Sequence, residues 1–122
     1  MKKIIFTENA PFPIGPYSQA ILINGTLYCS GQIAADCLDG DVEVQTDRVC
    51  KNISAVLQAA DMQMGDVVKT TCFLTDMSHF TKFNEVYEKF FTHKPARSCV
   101  AAKELPKGAL VEIEVVAVTD AG

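Results

Sequence analysis

Arg97 stands in the segment Pro95-Ala96-Arg97-Ser98-Cys99-Val100, among small and apolar neighbours rather than the mixed charges of a solvated surface. A guanidinium in such a place needs a partner, and its planar fork of donors matches a carboxylate bidentately. That carboxylate belongs either to a small-molecule ligand or to one of the chain's own Glu or Asp residues in a structural salt bridge. Glu112 and Glu114 alternate with Val and Ile, so both point to one face of an extended segment, roughly 7 Å apart. Two carboxylates so placed can hold a water or push one pKa upward. The plainer alternative is the wet face of an edge strand.

Cys99 follows Arg97 by two residues and shares its face if the segment is extended. A nucleophilic thiolate needs a basic partner, and the two histidines, His79 and His93, flank an aromatic helix as surface residues, so covalent catalysis is not expected. The backbone around Cys99 can still offer N–H groups to an anion. Tyr17 lies in the turn-forming stretch Gly15-Pro16-Tyr17-Ser18-Gln19, where its hydroxyl either reaches a site or merely packs. Ser30-Gly31-Gln32 ends a strand, and Gly31 there permits close backbone approach by a ligand or marks a bulge. Asn84, between Phe83 and Val86, is a polar residue beside an aromatic face, either lining a site or solvated. No G-x-S-x-G, P-loop, dinucleotide fingerprint or H-E-x-x-H occurs.

Several elements must position these residues. Ala20 to Ile23 and Thr26 to Ser30 are apolar, β-rich runs joined by Asn24-Gly25, which predicts a β-hairpin with a type I′ turn. From Val44 to Ala60 the apolar positions Val49, Ile53, Val56, Leu57 and Ala60 recur at helical spacing, with Asp47, Arg48, Lys51 and Asn52 on the polar side. Val67 to Thr75 reads as a strand. A helix follows, capped by Ser78, with Phe80, Phe83, Val86, Tyr87, Phe90 and Phe91 on its face, and it ends before Pro95. Arg97 to Ala101 is a short strand and Ala109 to Val118 a long one, with Val111, Ile113, Val115 and Ala117 on one face. This order fits a single α+β domain over residues 1–122, one mixed sheet with two helices on one side. The second face of the sheet has no helices left to cover it, which points to a homo-oligomer.

Composition narrows the class. With 48% hydrophobic and 21% charged residues the chain can bury one real core. Five scattered cysteines without a C-x-x-C pair imply free thiols and no metal site, hence a reducing, cytoplasmic setting. Met1-Lys2-Lys3 leads into only Ile4-Ile5-Phe6, too short for a secretory core, and no run reaches membrane-spanning length. The net charge is −4, with its densest cluster acidic (Asp36, Asp39, Asp41, Glu43 and Asp47), so no nucleic-acid footprint is expected.

Six segments, GPYSQA (15–20), SGQI (30–33), FLTDM (73–77), FNEVYEKFF (83–91), ARSCV (96–100) and LPKGALVEIEVVA (105–117), resemble in order the reactive intermediate deaminase (RidA/YjgF) family. The resemblance implies a chorismate-mutase-like fold, a homotrimer with ligand clefts at its subunit interfaces, and hydrolysis of 2-imino acids such as 2-iminobutanoate and 2-iminopropanoate to 2-oxo acids and ammonia without a cofactor. It implies that Arg97 holds the substrate carboxylate and Glu112 holds or polarises the attacking water, the two meeting across the cleft. Backbone groups at Gly31 and Cys99 would contact the ligand, and Tyr17, Ser30 and Asn84 would line the cleft. The short connection after Ala101 suggests a hairpin between the last two strands; the resemblance instead implies a centrally inserted last strand. The chain departs from the family pattern in its shorter, acidic loop Ala34 to Asp41. Endoribonuclease or translation-inhibitor activity, which some relatives are credited with, and non-catalytic metabolite binding or chaperone-like assembly are the competing functions.

Overall fold

In the computed structural model, which describes residues 1–119, the chain forms β1 (Lys3–Ile5), β2 (Ala20–Ile23), β3 (Thr26–Cys29), α1 (Val42–Ala59), β4 (Val67–Leu74), α2 (Phe80–Phe90), β5 (Ala96–Ala101) and β6 (Val111–Val118). Asn24 and Gly25 both adopt positive φ, 51° and 79°, as the type I′ hairpin between β2 and β3 demands. Strand β1 has no counterpart in the sequence reading. Three residues are too short to show a period, and it exists only because Lys3 to Ile5 pair antiparallel with β2.

Helix α1 starts two residues earlier than its apolar spacing suggests, because the Asp41 side chain accepts a 2.9 Å hydrogen bond from the Val44 N–H and caps it. Val49, Ile53, Val56 and Leu57 are buried as expected. Asn52, expected on the polar side, is buried too: its amide donates to the Ile33 carbonyl at 3.3 Å, so the chain leaving the hairpin covers it. Gln45 is fully enclosed. It donates to the Leu38 and Gly40 carbonyls and accepts from the Leu110 N–H, tying the acidic loop to the entrance of β6.

Ser78 does not cap α2. A 3₁₀ turn, Met77–His79, precedes the helix and is itself capped by Asp76, which accepts from the Ser78 N–H at 2.8 Å; α2 then begins after His79 with no side-chain cap. Along α2 and just beyond it Phe83, Tyr87 and Phe91 form one buried aromatic column, with ring centroids 5.5 and 4.5 Å apart.

The strand order is β1-β2-β3-β6-β4-β5. Strand β5 runs parallel to β4 across the α2 connection, and β6 lies antiparallel between β3 and β4. The last two strands therefore do not form a hairpin, as the family resemblance implied. Register fixes the faces, since directly paired residues share one. Ile113–Cys72–Cys99 and Val115–Thr70–Arg97 lie on the face that α1 and α2 cover, whereas Glu112–Phe73–Val100 and Glu114–Thr71–Ser98 lie on the other. That second face bears exposed Ile4, Ile23, Tyr28, Val100 and Val118.

Candidate active site

Apart from Cys99, which lines neither of the two cavities, the sequence-predicted residues gather into two clusters. Tyr17, Ser30, Gly31 and Glu112 line one cavity of about 470 Å³ on the uncovered side of the sheet, together with Ile14, Ile33 and Glu114. Arg97 and Asn84 line a separate cavity of about 350 Å³ at the edge where α2 meets β5. Within one chain Arg97 and Glu112 therefore stand on opposite faces of the sheet.

Local sequence explains each placement. The loop carrying Tyr17 is pinned by Gln19, which is buried, accepts from the Thr7 N–H at 2.7 Å and donates to the Thr7 and Pro11 carbonyls. The Ser30 hydroxyl donates to the Ser18 carbonyl at 2.6 Å, so its main task is to fasten that loop. Gly31 does meet a close neighbour, but one from the same chain. A Cβ there would lie 2.9 Å from Glu112 Cδ and 3.0 Å from its Cγ, so only glycine lets the Glu112 side chain rest against the backbone.

Glu112 is half-buried. Its carboxyl is pushed above the usual range first by burial, which penalises the charged form, and then by the like charge of Glu114. Cys99 is pushed up by burial, an effect its neighbour Arg97 opposes, so nothing here activates it as a thiolate nucleophile.

Arg97 has no carboxylate partner among the described residues, whose ion pairs are Arg48–Asp36 and Lys51–Asp47. Its Nη1 donates to Asn84 Oδ1 at 2.8 Å, and its guanidinium carbon lies 4.9 Å from the centre of the Tyr87 ring, 5.5 Å from Phe80 and 6.0 Å from Phe83. The structural salt bridge is thereby set aside, and a cation with directional donors is left facing a cavity. The aromatic surround was not singled out from sequence. Its signal was the i, i+4 spacing of Phe83 and Tyr87 around Asn84, which reads equally well as core.

Among the described residues no group of three or more His, Cys, Asp or Glu side chains could hold a metal ion, and no helix is long and apolar enough to cross a membrane. A family model described as endoribonuclease L-PSP matches residues 7–119. A RutC family protein of Pyrococcus horikoshii is 50% identical, covering 96% of this chain and 98% of its own. A 2-iminobutanoate/2-iminopropanoate deaminase of Salmonella typhimurium is 44% identical, covering 97% and 98%. Among solved structures, E. coli TdcF with bound serine superposes with a TM-score of 0.91 at 39% identity over 96% of this chain and 98% of that one. A Rid-family protein of unknown function from Yersinia pestis reaches 0.93 at 48% identity over 98% and 100%.

Proposed function

This chain belongs to the endoribonuclease L-PSP family, and from that premise we propose that it is a 2-iminobutanoate/2-iminopropanoate deaminase that converts 2-imino acids to 2-oxo acids and ammonia. The observation that carries the reading is an arginine without a carboxylate partner among the described residues, held by Asn84 and ringed by aromatics. The cavity around Glu112 supplies the other half of the chemistry.

Arg97 takes the substrate carboxylate through a bidentate pair. The imine carbon beside it is already electrophilic, so the protein has mainly to fix the acid and place a water. Glu112 accepts a proton from the water as its oxygen bonds to that carbon, and returns the proton to nitrogen. In the carbinolamine that results, Glu112 takes the remaining hydroxyl proton and delivers it to the amino nitrogen; the oxygen's electron pair forms C=O, the C–N bond breaks, ammonia leaves and the 2-oxo acid remains. No redox partner is required.

For one substrate to meet both groups, the site has to be completed by a second copy, with β5 and Arg97 of one chain beside the Glu112 cavity of the next. The assembly is a homotrimer, so light scattering should give about three times the 13.3 kDa chain mass. Mixing tests the sharing of residues. Trimers reconstituted from equal amounts of Arg97→Ala and Glu112→Gln chains should regain about one quarter of wild-type sites, because random assembly gives each interface that chance of two intact halves. Recovery of no activity would mean that both residues serve from one chain.

The test of function is a coupled assay. With threonine dehydratase generating 2-iminobutanoate, the protein should accelerate 2-oxobutanoate release over buffer. Binding of 2-oxobutanoate without any acceleration would instead mark a non-catalytic metabolite binder.

The raised Glu112 carboxyl also sets a pH profile. Glu112 works as the carboxylate, so kcat/KM falls as pH drops through its elevated pKa. Glu114→Gln removes a like charge, lowers that pKa and should move the acid limb to lower pH while leaving the alkaline side in place. An unmoved limb would separate Glu114 from the proton transfer.

A further inference from the structure

We propose that Tyr87 is a positioning residue that holds the Arg97 guanidinium in its working orientation through the face of its ring. The inference rests on the reading of Arg97 as the carboxylate anchor.

Arg97 belongs to a tight arrangement with Thr70, Tyr87, Phe83 and Phe91. Thr70 sits directly opposite it in the β4–β5 register, and the Thr70 hydroxyl shares a buried 2.8 Å hydrogen bond with the Tyr87 hydroxyl. Tyr87 is further fixed by Phe91 at 4.5 Å on one side and Phe83 at 5.5 Å on the other. The ring is thus held by its neighbours, and the guanidinium carbon of Arg97 lies nearer to its centre than to that of Phe80 or Phe83.

A free arginine samples many rotamers, and ordering them on binding costs affinity. A cation over a fixed aromatic face loses part of that freedom in advance, and the attraction strengthens as water is excluded. Asn84 fixes the in-plane rotation of the fork by one hydrogen bond, and Tyr87 fixes its plane. Together they aim the remaining donors before any carboxylate arrives. The hydroxyl of Tyr87 is engaged by Thr70, which leaves the ring face as the contact with the guanidinium.

Affinity for 2-oxobutanoate, measured by calorimetry on the assembled protein, and solvent exchange of the Arg97 Nε–H, followed by NMR, test this. Tyr87→Phe keeps the face and should bind within about twofold of wild type. Pentafluorophenylalanine at the same position keeps the shape but removes the negative face; it should weaken binding about tenfold and speed Nε–H exchange. Wild-type affinity and exchange with the fluorinated ring would overturn the proposal, as would a loss in Tyr87→Phe equal to that of the fluorinated variant. If the wild-type protein itself fails to bind 2-oxobutanoate, the carboxylate reading falls, and Nε–H exchange alone still decides whether Tyr87 holds Arg97.

Discussion

Arg97→Ala should return 2-oxo acid release in the coupled assay to the rate seen in buffer. Even one charge-assisted hydrogen bond contributes about 1.5–3 kcal/mol, so losing the two-bond fork weakens substrate capture by at least about one to two orders of magnitude before misorientation is counted. Arg97→Lys keeps the charge but not the fork, and should recover only part of the loss. The fold should survive either change, because the side chain is half-buried and makes no ion pair among the described residues. Only Asn84 loses its partner. The control is an unchanged assembly mass, and full turnover by Arg97→Ala would sink the proposed mechanism.

A loss as large is expected from a methyl group that never touches substrate. Gly31→Ala places a Cβ against Glu112, which is a flexible side chain rather than backbone, so the carboxylate yields and the strand does not. Removing a general base costs typically 10²- to 10⁴-fold, roughly, and both Gly31→Ala and Glu112→Gln should fall in that range. Thermal unfolding separates the two from a folding defect. The native carboxyl of Glu112 has a raised pKa, so the folded state binds the proton more tightly than the unfolded one. Charging it therefore costs stability above that pKa, and the cost vanishes as pH falls below the unfolded value. Glu112→Gln should accordingly melt no lower than wild type at pH 7, and any advantage should fade in acid. A Gly31→Ala protein with normal turnover would show that the position of Glu112 is immaterial.

Much of this architecture can be read from local patterns, and the exceptions other than the helix starts share one cause. The Asn24-Gly25 hairpin, the apolar spacing of α1 and the alternation of β6 each depend on neighbours within one element. The burial of Asn52 depends on a carbonyl nineteen residues away, and the tyrosine–threonine bond behind Arg97 spans seventeen. Alternation places Arg97 and Cys99 on a common face, yet which face the helices cover follows only once β6 is inserted beside β4. The family resemblance supplied that insertion. It also named Arg97 and Glu112 together, whereas the fold of one chain keeps them apart.

The two borders of the sheet differ in a way that bears on the survival of the protein in a crowded solution. At one border β1 is only three residues long and carries the exposed Lys3, features that discourage a stray chain from adding on. At the other, β5 presents six residues with a single charge, and that charge turns toward the helices. Its outer ladder of N–H and C=O groups is a template for any extended segment it meets. Packing against a sister chain would hide that border, so the proposed subunit association would also act as protection against aggregation. A chain barred from associating should precipitate before its lost turnover could be measured.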